Sequence, residues 1–274
     1  MSQPDKQDGP NKIKHLIGVM SGKGGVGKST VTYLTALALK QKDYKVGILD
    51  ADITGASIPR MMHLPKYEMK VAGDFICPVE TEQRLKVMSI SFLVDNEEQP
   101  VIWRGPLLSK AIQQFWGEVL WGELDFLILD MPPGTSDVAI TVMQALPLEG
   151  FIYVTTPQDL ARLDARRAID MSRSLGVPVL GIVENMSGFS CPRCGGAIDL
   201  FKVGGGERAA EELQVPFLGK IEIDPAICES GDSGRPFILS VQSKNSEPFD
   251  GMARRIMVHY ESGDRDSWPK DRLS

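Results

Sequence analysis

The sequence contains little cysteine and no long apolar run. Its four cysteines are too few and too unevenly spaced for a disulfide scaffold. No segment approaches the roughly 18 apolar residues that a membrane-spanning helix needs, and residues 1–11 lack the apolar core of a signal peptide. We therefore expect a protein of the reducing cytoplasm that has no membrane as its partner.

Positive charge is also scarce, because 30 Lys and Arg stand against 36 Asp and Glu, giving a formal net charge of −6. Such a chain lacks the basic surface that non-specific binding to nucleic acid or anionic lipid requires, so we expect neither as a partner. What is present, 42% hydrophobic and 24% charged residues, is typical of a globular protein and excludes a disordered or fibrous one.

Short apolar runs alternate with helix-length segments along the chain. The runs are too short for helices and end in small or acidic residues, so they indicate strands that are buried on both faces. This alternation predicts an α/β fold, a mainly parallel sheet with helices on both faces. The predicted strands are 16–20, 46–49, 126–129, 151–154 and 179–183, and the predicted helices are 29–42, 107–120 and 160–175.

No stretch with the composition of a linker divides the chain. We therefore expect a single domain over residues 12–261, with polar, disordered tails at 1–11 and 262–274. The region 62–93 has a less regular pattern, and we interpret it as an excursion from the sheet that contains a hairpin. One large α/β domain accounts for the length of the chain.

The most specific motif is Gly22-Lys23-Gly24-Gly25-Val26-Gly27-Lys28-Ser29-Thr30, which fits the phosphate loop G-x-x-x-x-G-K-[ST]. It follows a predicted strand and opens a predicted helix, as phosphate binding requires. The glycines let the backbone amides of the loop, including that of Val26, converge on phosphate oxygens at the positive end of the helix dipole. In this interpretation Lys28 spans the β- and γ-phosphates of ATP, Ser29 binds Mg²⁺ and Thr30 reaches the α-phosphate.

The same loop contains a second lysine, Lys23, which we count among the candidate catalytic residues. Its ammonium group can fold onto the phosphates of its own loop, stay in solvent, or reach a nucleotide bound to another subunit. The motif alone leaves these three roles open.

Acidic residues follow two of the predicted strands. Asp130 comes directly after one of them, where a carboxylate is expected to hold Mg²⁺ through water. Asp50 and Asp52 follow another, and we favour Asp52 as the residue that orients or deprotonates the attacking water. The turn after Asp130 brings Gly134, whose amide is expected to sense the γ-phosphate. Phosphoryl transfer needs little beyond such positioning and charge neutralisation.

An asparagine and a glycine run have less specific patterns. Asn185 stands after the predicted strand 179–183, and its side chain offers the donor and the acceptor that suit an adenine edge. A plain turn asparagine is an equally good interpretation. The run Gly204–Gly206 lacks a lysine, so we expect it to open a helix and not to form a second phosphate loop.

The segment Cys191-Pro192-Arg193-Cys194-Gly195-Gly196 is a tight C-x-x-C knuckle that points two thiolates the same way. A tetrahedral zinc or a [4Fe–4S] cluster needs four ligands, while Cys77 and Cys228 are expected to be core residues. The economical solution is a two-fold homodimer in which each subunit supplies Cys191 and Cys194. A redox dithiol and a turn with incidental cysteines compete with this interpretation, and the spacing does not separate zinc from iron–sulfur.

Seven stretches, in order from about residue 15 to residue 240, form one set. They are KGGVGKS (23–29), DADI (50–53), WRGP (103–106), LDMPPGT (129–135), ENMSGF (184–189), CPRCG (191–195) and SGDSGRP (230–236). The set closely resembles the Mrp/ApbC family of P-loop ATPases, which is implicated in iron–sulfur cluster assembly and transfer. That family belongs to the deviant Walker A group with MinD, ParA and the nitrogenase iron protein. The cysteine pair is its most specific part, because MinD- and ParA-like proteins lack it.

The resemblance implies roles that spacing alone does not give. Lys23 would be the signature lysine that reaches the phosphates of the other subunit in an ATP-bound homodimer. Cys191 and Cys194 would ligate a labile [4Fe–4S] cluster that is bridged between subunits and delivered to apo iron–sulfur proteins. Asn185 would contact adenine with help from the loop around 224–225. ATP binding and hydrolysis would then change how tightly the dimer holds its cluster.

Two other hypotheses share these motifs. A spatial-organiser ATPase like MinD or ParA would use the same phosphate loop, and residues 248–260 would then form a short amphipathic element at a membrane. A terminal helix packed on the sheet is the simpler interpretation of that segment. In the other hypothesis the protein is an ATPase whose cysteine pair holds a purely structural zinc.

Overall fold

Of the 274 residues, a computed structural model describes 10–52, 55, 57–64, 70–93, 105–135, 137–191, 193–233 and 246–261. The predicted tails lie outside these residues, except for positions 10 and 11. Asn11 is buried, because its side chain donates to the Val119 carbonyl at 2.7 Å and accepts from the Gly122 amide at 2.9 Å. Asn11 therefore packs against the domain one position before the predicted boundary at residue 12.

The strands of the described residues form one main sheet and a separate hairpin. The strands are β1 (Lys12–Ser21), β2 (Val46–Asp50), β3 (Val71–Ala72), β4 (Phe75–Ile76), β5 (Val79–Glu80), β6 (Lys86–Ser89), β7 (Glu123–Asp130), β8 (Gly150–Thr155), β9 (Val179–Ser190), β10 (Ala197–Ile198) and β11 (Phe217–Ile223). The sheet runs β9–β8–β1–β7–β2–β6–β5 and is parallel except where β5 joins β6. β11 pairs parallel with β9, and β10 pairs antiparallel with the last residues of β9.

Helices cover both faces of the sheet. The helices are α1 (Lys28–Lys40), α2 (Ile58–Met61), α3 (Gly105–Glu118), α4 (Asp137–Ala145), α5 (Asp159–Leu175), α6 (Gly205–Leu213), α7 (Pro225–Ser233) and α8 (Ser246–Glu261). Because side chains alternate along a strand, Leu16 and Met20 of β1 join the core under α3 to α6, whereas Ile17 and Val19 join the core under α1, α2 and α8. The predicted mainly parallel sheet with helices on both faces is confirmed.

The predicted strands and helices are all present, and the irregular region contains the predicted hairpin as β3 and β4. β9 is longer than predicted and runs on to Ser190. The apolar pattern does not predict β6 or β11, because Lys86 opens the first and Gly219 and Lys220 interrupt the second. Short or interrupted strands near the edges of a sheet carry a weaker apolar signal than its centre.

Candidate functional site

The candidate nucleotide site lies where three neighbouring parallel strands end. β1 leads into the phosphate loop, and β7 and β2 end at Asp130 and Asp50. In the register of the sheet Asp130 is paired with Asp50 on one side and with Val19 of β1 on the other. The strand order thus brings the loop and the acidic residues to one edge, as expected for a ligand site in an open α/β sheet.

Two glycines give the phosphate loop its left-handed backbone. Gly25 and Gly27 have φ angles of 80° and 82°, a conformation that is costly for residues with a Cβ atom. A Cβ atom on Gly27 would also overlap the side-chain amide of Asn185. α1 begins at Lys28, so its N-terminal amides follow the loop directly. The local backbone therefore has the shape and the dipole that favour a bound phosphate.

The first glycine of the loop packs against two residues that the sequence did not single out. A Cβ atom on Gly22 would overlap both the hydroxyl of Tyr153 in β8 and the Cβ atom of Asp164 in α5. Burial and the nearby Asp164 carboxylate raise the pKa of Tyr153, although the Gly22 amide donates to its hydroxyl and opposes the shift. No sequence signal marks Tyr153, because an aromatic residue in a buried strand has the pattern of an ordinary core residue.

Lys28 lies between two carboxylates. Its Nζ atom is 2.8 Å from Oδ1 of Asp130 and 3.3 Å from Oδ2 of Asp52, and 6% of the residue is exposed. Burial by itself would lower the pKa of Lys28, but attraction to Asp130 and then to Asp52 raises it above its usual value. Lys28 is therefore charged at neutral pH, as a lysine that neutralises phosphate must be.

Asp130 also accepts two hydroxyl hydrogen bonds from α1. Ser29 Oγ donates to Oδ2 at 2.5 Å, and Thr32 Oγ1 donates to Oδ1 at 2.7 Å. Thr32 lies beyond the motif, so nothing in the sequence marked it. Hydroxyl and carboxylate oxygens are the ligands that Mg²⁺ prefers, and Ser29 and Asp130 therefore fit the predicted magnesium site.

The two aspartates after β2 have different surroundings. Asp50 is fully buried, and its carboxylate accepts from the Asp52 amide and from the Ser89 hydroxyl, each at 3.1 Å. Burial and then the neighbouring Asp130 raise the pKa of Asp50 well above its usual value. Asp50 thus fixes the backbone at Asp52, while the Asp52 carboxylate lies beside the lysine of the loop. This division favours Asp52 over Asp50 as the residue that handles water.

Three further predicted residues lie around the loop. The Gly134 amide donates to the last carbonyl of β1 at 2.7 Å, and the Asn185 side chain donates to the Val26 carbonyl at 2.8 Å. Lys23 is exposed, with its Nζ atom 3.4 Å from Oε1 of Gln158. The predicted roles of these residues toward the γ-phosphate, adenine and a second subunit stay predictions.

A buried carboxylate joins β9 to the start of α6. Glu184 is 0% exposed, and its Oε1 atom accepts from the Ser187 hydroxyl at 2.5 Å. The amide of Gly204, at 2.9 Å, and the amide of Gly206 donate to the same carboxylate. The glycine run therefore opens a helix, as predicted. Its amides bind a carboxylate of the chain itself, which is a favourable partner for a helix N-terminus.

The cysteine pair lies in an exposed loop directly after β9. The Cys191 amide donates to the Gly196 carbonyl at 2.9 Å, and the Gly195 amide donates to the Cys191 carbonyl at 2.8 Å. The amides of Cys194 and then Arg193 donate to the Cys191 sulfur and lower the pKa of its thiol. These amides favour the thiolate, which is the form that binds metal. The donor set of the knuckle therefore fits two ligands of a metal or cluster site.

The other two cysteines are not core residues, so that expectation was wrong. Cys228 is exposed on α7, and Cys77 is half-buried just after β4. The local pattern around a cysteine does not reveal which side of its segment faces the core. Among the described residues, no group of three or more His, Cys, Asp or Glu side chains is arranged to hold a metal. The described part of one chain thus offers the two thiols of the knuckle as ligands, which is half of the four that a closed site needs.

Comparison with known proteins shows the family of this chain. The family model described as ParA, NUBPL iron-transfer P-loop NTPase, matches residues 12–257. This chain belongs to that family. An iron–sulfur cluster carrier protein of Methanocaldococcus jannaschii is 48% identical over 252 residues, which are 92% of this chain and 87% of the relative. The resemblance to iron–sulfur carrier ATPases that the motifs indicated is confirmed.

A second relative and a solved structure extend the comparison. A cytosolic Fe-S cluster assembly factor NUBP2 homolog of Nematostella vectensis is 49% identical over 249 residues, covering 87% of this chain and 92% of the relative. A nucleotide-binding protein of Archaeoglobus fulgidus, solved in complex with ADP, is 41% identical with a TM-score of 0.75, covering 86% of this chain and 91% of that one. The α/β fold of this chain is thus a P-loop NTPase fold.

The C-terminal helix α8 contains the segment that the spatial-organiser hypothesis would place at a membrane. Phe249, Met252 and Ile256 of α8 are 0% exposed and pack in the same core as α1. These three apolar residues are therefore covered by the domain and are not available to insert into a membrane. None of the helices in the described part of the chain has the length and apolar character needed to cross a bilayer.

Proposed function

We propose that this chain is an ATP-hydrolysing carrier that works as a homodimer in the cytoplasm. Two copies would hold one [4Fe–4S] cluster as cargo between their cysteine pairs and transfer it to apo iron–sulfur proteins. The observation that carries the proposal is that one chain contains both a buried lysine–aspartate phosphate site and an exposed C-x-x-C knuckle. The names of the relatives as cluster carrier and assembly factor support it.

The proposed binding and hydrolysis of ATP rest on the charges around the phosphate loop. The loop amides and the N-terminus of α1 stabilise the phosphates, and Lys28 places its ammonium group beside the β- and γ-phosphates. Ser29 and Asp130 would hold Mg²⁺, which neutralises phosphate charge. Asp52, which lies 3.3 Å from Lys28, would orient the attacking water and take its proton. This is catalysis by positioning and electrostatics, with no covalent intermediate.

The cluster half of the proposal follows from ligand count. A [4Fe–4S] cluster needs four thiolates, and the knuckle supplies Cys191 and Cys194. A two-fold axis through the cluster would bring in the same two residues of a second copy and complete the set. Because Cys194 is exposed and Cys191 is half-buried, such a cluster would stay close to solvent, where an acceptor protein can reach it.

β9 would connect the two halves. Asn185, which contacts the phosphate loop, lies in this strand, and Cys191 directly follows its last residue, six positions further along the chain. Nucleotide can change the affinity for the cluster only to the extent that it binds two arrangements of the dimer differently. A change in the loop that moves Asn185 would be passed along the same strand to the knuckle.

Anaerobic reconstitution with iron and sulfide tests the proposal. The wild-type protein should take up about four iron per dimer, as four thiolates per cluster require. The double variant Cys191→Ala/Cys194→Ala should take up none, and the matched control Cys77→Ala/Cys228→Ala should bind as much iron as wild type. Equal iron in both double variants would refute the assigned site. Zinc instead of iron in protein purified without oxygen would support the structural-zinc hypothesis.

A further inference from the structure

Three large apolar side chains are exposed in the loop that follows the cysteine knuckle. Ile198 is 43% exposed, Leu200 55% and Phe201 44%. They lie within four positions, in a run from 193 to 202 in which every residue is exposed. Single exposed apolar residues are common, but several together indicate a surface that another molecule covers. We call Ile198, Leu200 and Phe201 the apolar patch.

Strand pairing places Ile198 of the apolar patch on the same face as Cys191. β10 folds back on β9, so Ile198 is paired with Phe189. Residues paired across two strands share one face, and residues two apart on a strand do also. Since the Cys191 amide continues this pairing with a hydrogen bond to the Gly196 carbonyl, Ile198 lies on the face of the hairpin that carries Cys191.

The loop also lies close to the end of β9. A Cβ atom built on Gly188 would lie 3.5 Å from Val203 Cγ2, 3.9 Å from Asp199 Oδ1 and 4.0 Å from the Ile198 carbonyl oxygen. Gly188 itself has a φ of 79°, which brings the strand under the loop. The base of the patch therefore lies against the end of the strand that carries the knuckle.

We propose that the apolar patch is a contact surface for a second copy of this chain, formed around the shared cluster. This inference rests on the proposed function, because it takes the cluster to be bridged between two knuckles. Each knuckle supplies half of a four-thiolate site, so closing the site brings two copies of the loop together. The apolar side chains next to Cys191 would then meet across the two-fold axis and exclude water from one side of the cluster.

The charges around the patch fit a second copy. Arg193, Asp199 and Lys202 are all exposed, with Asp199 inside the patch and the two basic residues before and after it, so this surface carries both signs of charge. A surface that carries both signs is complementary to itself under a two-fold rotation, whereas a surface for a strongly acidic or basic partner would carry one sign. An acceptor protein would then reach the cluster from a side that the apolar patch does not cover.

The test compares two serine variants of exposed residues. Ile198→Ser/Leu200→Ser removes most of the patch, including the residue next to Cys191, and keeps both cysteines, and Val71→Ser is the control, because Val71 is 66% exposed on the β3–β4 hairpin. Neither change should disturb folding, which thermal unfolding would check. Each reconstituted protein is measured anaerobically by sedimentation velocity over a range of concentrations, by iron content, and by cluster transfer to apo-aconitase.

We expect the patch variant to dimerise at least about tenfold more weakly, as the loss of two buried apolar contacts implies, and to lose iron on dilution. The control should match wild type. A patch variant that stays dimeric with its full iron content would overturn this inference, and slower transfer to apo-aconitase would then assign the patch to acceptors. If the wild-type protein itself binds no iron, or binds it as a monomer, the proposed function fails as well, so the two failures are distinguishable.

Discussion

The phosphate site and the cysteine knuckle differ in how far one chain completes them. At the phosphate site Lys28, Asp52 and Asp130 are buried and satisfy one another with ion pairs. At the knuckle Cys194 is exposed, the following loop is exposed, and the thiols supply half of a ligand set. The first site therefore depends on packing inside the fold, whereas the second depends on what meets the surface.

One strand connects these two regions. β9 is buried where Glu184 and Asn185 lie and becomes half-buried toward Cys191. Between them Met186 and Gly188 have φ angles of 59° and 79°, and the pairing with β11 is irregular there. A left-handed non-glycine residue is costly and is kept only where the surroundings hold it. The strand thus changes its course between the two sites.

The largest effect is expected at the phosphate site, whose residues are buried. Lys28→Ala would leave three carboxylates together without their cation, which costs about 3–5 kcal/mol of stability, and should abolish ATP binding and hydrolysis. Urea unfolding and calorimetric ATP binding measure the two effects. Lys23→Ala is the control, because Lys23 is exposed and its loss should change stability by less than about 0.5 kcal/mol.

The loss of stability in Lys28→Ala should depend on pH in a definite direction. Burial and Asp130 raise the pKa of Asp50 above its usual value, and Lys28 opposes them, so removing Lys28 raises this pKa further. A folded-state pKa above the unfolded value means that protonation favours the folded protein. The instability of Lys28→Ala should therefore be greatest at neutral pH and shrink as the pH falls. An instability that grows in acid would contradict the electrostatic explanation.

A smaller effect is expected at Glu184, which ties β9 to the start of α6. Glu184→Ala would leave the buried amides of Gly204 and Gly206 without an acceptor, which should cost roughly 2–4 kcal/mol. Glu211→Ala, on the exposed side of the same helix α6, should cost less than about 0.5 kcal/mol. Urea unfolding compares the two variants. Equal stabilities would mean that Glu184 does not anchor the start of α6.

The smallest effect concerns the exposed thiols. Amides of the knuckle, that of Cys194 first, lower the pKa of Cys191, so its alkylation by iodoacetamide in metal-free protein should have a pH midpoint below the ordinary thiol value of about 8.5. Mass spectrometry of the modified peptide gives the midpoint. Cys194→Ala keeps the backbone amides and should keep most of the lowering. A midpoint at or above the ordinary value would show that the amides do not act on this sulfur.

Local signals predicted the central strands, the phosphate loop and the cysteine knuckle. These features depend on consecutive residues, such as the apolar run before Gly22 or the spacing of Cys191 and Cys194. Tyr153, Thr32 and Glu184 were missed, because each looks ordinary in its own segment and meets its partner only after folding. The burial of Cys77 and Cys228 was misjudged for a related reason, since a short segment does not tell which of its sides faces the core.

The sequence by itself determined the kind of chemistry, a glycine loop with a lysine for phosphate and a paired thiol for metal, because both depend on residue type and short spacing. The tertiary structure decided which distant groups act together. The strand order placed Asp130 and Asp52 around Lys28, and the hairpin of β9 and β10 placed the exposed Ile198 on the same face as Cys191. Such contacts come from register and packing between segments far apart in the chain, which no local pattern specifies.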